Sequence, residues 1–172
     1  MHRLSRGLAL CVILPLLAAC SGKAPTDTAY RAQGAQISSN ALFDPARFAD
    51  VWHVVGAYGA ETSCGPLAET WILTGPQSYQ VTGTRCGPNG ARAFVAPAQV
   101  TGPGRITRDG EVLWVMWVDA DYRIAVIGTP DGRFGRILSR SPRPRPDLLT
   151  AAREVLDFNG YDPAGLRMVA GG

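Results

Sequence analysis

The chain has 172 residues, which suits one domain with tails. Its 17 basic and 14 acidic residues are scattered without a clustered stripe, so its basic excess gives no argument for nucleic acid. Of two histidines and four cysteines, only His53, Cys64 and Cys86 fall in the folded part; these do not make a metal site, and no cofactor is implied.

The N-terminus opens with His2, Arg3 and Arg6, followed by an apolar run of 12 residues from Leu8 to Ala19. A bilayer crossing takes about 20 residues, so this run fits a secretory signal core instead. It ends in Leu17-Ala18-Ala19-Cys20-Ser21, which matches the bacterial lipobox. Residues 1–19 therefore read as a signal peptide and Cys20 as the lipidated (palmitate-carrying) residue. Ser21 after it resembles lipoproteins sent to the outer membrane. The expected location is the cell outer membrane, lipid-anchored, with the domain facing the periplasm. Loss of Arg3 and Arg6 with the signal leaves 15 basic against 14 acidic residues.

Cys64 and Cys86 remain, and in an oxidising envelope compartment they are expected to form a disulfide. Residues 20–40, rich in Ala, Ser, Gln, Thr and Gly, read as a lipidated Cys and flexible tether with a reach of about 25 Å.

From Phe43 onward, short apolar runs alternate with turn residues at intervals of about ten residues. Strands are expected at Val51–Tyr58, Ala68–Leu73, Tyr79–Arg85, Arg92–Ala98, Gly104–Thr107, Val112–Val118, Tyr122–Gly128 and Phe134–Arg140. Gly75-Pro76, Gly102-Pro103, Asp109-Gly110 and Pro130-Asp131-Gly132 supply turns between them. Short connections make neighbours antiparallel, and such a meander removes its edges by closing. The fold class is all-β: an eight-stranded antiparallel up-and-down barrel over residues 41–172. Prolines 142, 144 and 146 end the last strand, and Asp147–Asn159 reads as one C-terminal α-helix stopped by Gly160. Its stripe of Leu148, Ala152, Val155 and Phe158 is expected to pack outside the barrel. A short strand near Leu166–Val169 finishes the chain.

Three motifs resemble the lipocalins, in the bacterial outer-membrane lipoprotein branch. "FDPARFADVWHVVG" looks like the segment before the strand-one Trp, here Trp52. The family usually has Gly two residues before that Trp, where this chain has Asp50. "VDADYRIAVIGTPDG" looks like the Asp-Tyr turn between strands six and seven, here Asp121-Tyr122, and "RILSRSP" like the end of strand eight, here Arg140. The resemblance implies a lipocalin-like calyx closed by Trp52, Arg140, Asp121 and Tyr122, with the Arg140 guanidinium over the Trp52 indole.

If Arg140 faces inward, alternation puts Leu138, Arg136 and Phe134 inward as well, and Val54, Gly56 and Tyr58 on the face of Trp52. Both faces of strand six are apolar; we take Val115 and Trp117 as the lining pair, with the opposite face left open. These residues, Arg136, Phe134, Leu138, Val54, Tyr58, Val115 and Trp117, form the candidate ligand site. Arg136 would meet the head group of an acidic lipid, reach solvent through a bulge, or pair with Glu69 or Asp131, since an unpaired buried guanidinium is costly.

No nucleophile elbow or Cys–His pair appears, so no enzyme activity is expected. Two functions remain. The first is a membrane-anchored lipid-binding lipoprotein that carries a fatty acid or lysophospholipid for envelope maintenance. The second is a protein-interaction or inhibitor module using the loops at the mouth.

Overall fold

The computed structural model describes residues 29–87 and 89–169. The signal segment 1–19 and Cys20 lie outside the described residues.

Nine strands form one sheet that closes on itself: β1 (Asp50–Ala57), β2 (Leu67–Gly75), β3 (Ser78–Gly87), β4 (Gly90–Gly102), β5 (Arg105–Arg108), β6 (Glu111–Val118), β7 (Ile124–Gly128), β8 (Gly135–Ser139) and β9 (Arg167–Met168). From β1 to β8 consecutive strands pair antiparallel, and β1 closes the ring by pairing with both β2 and β8. β2 leaves β1 after Val54, and β9 takes the vacated edge at Gly56 and Ala57. Each expected strand is present, with ends differing by a few residues, and β4 runs longest.

One end of the barrel is a packed floor. The short helix α1 (Pro45–Phe48) is capped by the Asp44 carboxylate and drops Phe48 between Trp52 and Trp71, with ring centroids 5.1 and 5.2 Å away. Tyr79 meets Trp71 edge-on at 5.4 Å. The Trp52 indole N–H donates to the Phe48 carbonyl at 2.8 Å. Arg140 covers the Trp52 ring at 3.8 Å from its centroid. The Asp44 N–H donates to the Tyr122 hydroxyl at 2.7 Å, which ties the entry segment to the β6–β7 turn. Asp121, expected at the closure, is instead exposed and pairs with Arg123 at 3.2 Å. The turn is held by Asp119, whose carboxylate accepts from the Arg123 and Ile124 N–H groups and from the Arg123 guanidinium.

A second apolar layer lies outside. Helix α2 (Pro146–Phe158) buries Ala152 and Leu156 in a cluster with Met116, Ile124, Val126 and Ile137. Phe158, read as part of the packed stripe, is 83% exposed. Tyr161 then fills the space over Gly128 and Gly135, donating its hydroxyl to the Phe134 carbonyl at 2.7 Å and accepting from the Thr129 N–H at 2.9 Å. A Cβ at Gly135 would stand 2.8 Å from the Tyr161 ring, so this close approach needs glycine.

Residues 29–40, read as tether, lie along this outer layer. The Tyr30 N–H donates to the Gly132 carbonyl, Arg31 bridges to Tyr161, and the Asn40 N–H donates to the Val115 carbonyl at 2.8 Å. The segment starts beside the β7–β8 loop at the open end and descends the wall.

Two of the four register shifts in the described sheet bear on the candidate site. The register of β1 shifts between Val54 and Gly56, and that of β6 between Val115 and Trp117. An extra residue in a strand turns everything after it to the other face.

Candidate functional site: the mouth of the barrel

Above the floor, the inward side chains change from apolar to charged. Val54, Leu113, Val115 and Leu138 are buried with Trp52 and Trp71 in one core. Immediately over Trp71 lies a layer of buried ions. Glu69 is 1% exposed and accepts from the Trp71 indole at 3.2 Å, from Arg108 Nη1 at 3.2 Å and from Arg136 Nη1 at 2.5 Å. Arg136, fully buried, also donates Nε to Glu61 Oε2 at 2.5 Å and Nη2 to Glu61 Oε1.

The electrostatics follow from this packing. Burial alone would raise the Glu69 carboxyl, but the Arg136 and Arg108 guanidinia outweigh it and hold the group below the usual carboxylate range. Burial likewise opposes the charge of Arg136, and the Glu69 and Glu61 carboxylates reverse that and hold its proton more firmly. Arg108 goes the other way: burial, with Arg136 repulsion, exceeds the help from Glu69 and lowers its value. The sequence expectation that Arg136 meets an acidic ligand is corrected here, because all three of its nitrogens are already occupied by two carboxylates. The alternative pairing with Glu69 is the one observed.

Glu61 comes from a 3-10 turn, Gly59–Cys64, that folds over the opening. The Cys64–Cys86 disulfide ties the end of this turn to the tip of β3. Phe134 stands at the rim with the Arg136 guanidinium 4.8 Å from its centroid.

Tyr58 and Trp117 are not in the interior. Both follow a bulge, and both pack in the outer cluster beneath α2 and the C-terminal segment. Tyr58 nevertheless reaches the site from outside. A groove of about 750 Å³ at the mouth is lined by Tyr30, Tyr58, Glu61, Val112 and Phe134, and it runs between the 3-10 turn and the β5–β6 and β7–β8 turns. The Tyr58 hydroxyl is buried without a hydrogen-bond partner among the described residues. Burial, reinforced by Asp162, pushes that hydroxyl well above the ordinary tyrosine range, so it is a neutral donor.

The residues missed from sequence are Arg108, Arg85 and Glu61. Alternation on β5 pairs Arg108 with the inward Ile106, and that was the available signal for Arg108. No group of three His, Cys, Asp or Glu among the described residues is placed to hold a metal ion.

The closed meander with one outer helix is the lipocalin barrel. Residues 103–171 match the family model described as a lipocalin-like domain. Among solved structures, the chain is similar to the siderocalin Ex-FABP, described as functioning through dual ligand specificities, with 16% identity and a TM-score of 0.59 over 73% of this chain and 91% of that one. It is also similar to lobster apocrustacyanin A1, with 12% identity and a TM-score of 0.57 over 74% of this chain and 79% of that one. No curated protein matches the chain.

Proposed function

We propose that the chain is a non-enzymatic binding protein of the cell envelope, anchored by lipid on Cys20, that holds a fatty acid or lysophospholipid at the open end of a lipocalin barrel. One observation carries the reading: the groove of about 750 Å³ is largely apolar, opens at the mouth and has polar groups at its inner edge. Tyr58, Val112 and Phe134 give the hydrocarbon a surface. The lipobox supports the anchor, and Ser21 supports the outer membrane as the destination.

A second reading, a protein-interaction or inhibitor module, is favoured by the filled interior. The ion layer and the core beneath it occupy the depth where many calyx ligands would have to sit.

Native mass spectrometry of the protein purified without delipidation tests both. One fatty acid or lysophospholipid mass per chain supports the first. A bare chain that instead retains a protein partner in fixed ratio overturns it in favour of the second. For the anchor, Cys20→Ser is expected to abolish incorporation of labelled palmitate; label persisting in that variant overturns lipidation at Cys20.

A further inference from the structure

We propose that the mouth binds an amphipathic anion head-group inward, with a carboxylate or phosphate at Arg108 and Arg85 and the hydrocarbon lying outward along the groove past Phe134. This rests on the lipid-binding reading above and assigns the orientation and the polar contacts within it.

The charge layer is incomplete on one side. Arg136 takes both oxygens of Glu61 and shares Glu69 with Arg108. Arg108 therefore has only part of one carboxylate, although its side chain is 1% exposed. Its Nε is buried without a hydrogen-bond partner. Arg85 beside it is 34% exposed, yet its Nε and Nη2 are buried without a hydrogen bond, and its Nη2 pairs only loosely with Asp109 at 3.9 Å. Both guanidinia lie against the Phe94 ring, at 4.2 Å for Arg85 and 5.7 Å for Arg108. Three buried donors on two neighbouring cations call for an acceptor, and a charged one satisfies them best.

Phe134 links this layer to the groove. Arg108 lies 6.0 Å from its ring centroid, and Phe134 also lines the groove. An alkyl chain cannot go deeper than the ions, because Trp71, Tyr79 and Val81 below them are packed with at most 2% exposure. Burying hydrocarbon in the groove and the anion at the arginines satisfies both ends; the reverse pose leaves the donors empty.

Orientation is read by spin-label quenching. Trp71 lies 5.7 Å from the Arg108 guanidinium, measured to its ring centroid. In a variant carrying Trp114→Phe and Trp117→Phe, stearate labelled with a nitroxide at carbon 5 is expected to quench tryptophan several-fold more than stearate labelled at carbon 16. Stronger quenching from carbon 16 overturns the orientation and leaves lipid binding standing. With the natural tryptophans kept, Arg85→Gln leaves the Glu69 ion set intact and is expected to weaken dodecanoate at least about tenfold, as loss of charged hydrogen bonds does, while dodecanol binding is unchanged. Equal loss for both, or no loss, overturns the anion contact. If neither amphiphile binds, inorganic phosphate decides: binding that Arg85→Gln abolishes keeps the anion site and sinks the lipid reading, and no binding sinks both.

Discussion

Arg140 and Trp52 are joined twice, once through space and once through the backbone. The guanidinium stacks on the indole at 3.8 Å and also donates to the carbonyls of Val51, Arg47 and Ala49 at 2.8, 2.9 and 2.7 Å. The same side chain thus collects the carbonyls at the end of α1 and the ring that α1 packs on. Arg140→Ala is expected to cost about 3 kcal/mol in urea unfolding, from charged hydrogen bonds and the cation–ring contact together. Arg140→Lys should recover less than half, since an ammonium cannot present the planar fork. Full recovery by lysine would show that charge alone matters.

Glu69 is the shared acceptor of the ion layer. Glu69→Gln leaves two buried guanidinia short of a counter-charge and is expected to cost roughly 3–5 kcal/mol. A loss below 1 kcal/mol by chemical denaturation would mean that water or another anion already compensates them.

The same group sets an acid limit. Its folded-state value is lowered from the ordinary 4.5, so the folded state favours the ionised carboxylate. The stability it provides is fully present above pH 4.5 and drains away as pH falls through the lower folded-state value. Unfolding midpoints followed from pH 6 downward should therefore drop steeply in the acid range. Glu69→Gln should flatten that drop, and an unchanged slope would assign it to other carboxylates.

Asp50 carries strain that a glycine would release. Its φ is +90°, a left-handed conformation at the first residue of β1, where the lipocalins it resembles usually have Gly. The side chain recovers part of the cost by accepting from the Val51 N–H at 2.8 Å. Asp50→Gly is expected to raise stability by about 1 kcal/mol, measured by thermal melting. A fall in melting temperature would show that the side-chain contact outweighs the strain.

The Cys64–Cys86 bridge spans 22 residues and pins the turn that carries Glu61. The double Cys64→Ser, Cys86→Ser variant should lose about 3 kcal/mol in the chain-entropy account. It should also speed amide exchange over residues 59–64 more than in β6 and β7. Uniform acceleration across the barrel would confine the bridge to global stability.

The strand cadence and the outer helix were readable from local spacing, the disulfide from the two cysteines left in an oxidising compartment, and the Trp52–Arg140 contact from the motifs that resemble the lipocalins. Tyr58 and Trp117 were assigned to the wrong side for one shared reason. A bulge costs a single residue, leaves no mark in an apolar run, and reverses every face that follows it. The carboxylate partner of Arg136 was half visible: Glu69 lies on a strand with a definable face, whereas Glu61 sits in a loop whose path depends on the disulfide. Residues 29–40 were read as part of the 20–40 tether because the segment is rich in Ala, Ser, Gln, Thr and Gly. They are held by backbone hydrogen bonds and a few anchors, such as Arg31 to the Asn159 carbonyl at 2.6 Å, and composition does not encode these.

The pinned N-terminal segment also fixes a direction. Ala29 lies at the open end, beside the loop that Tyr30 joins, and eight residues, 21–28, separate it from Cys20. At no more than about 3.6 Å per residue, that length of chain spans at most about 30 Å. An acyl group on Cys20 would then moor the barrel by its rim rather than its base, with the groove turned toward the bilayer surface. Cargo leaving a membrane would need to cross only a short gap, and the protein would work as a cup held upside down against its own supply.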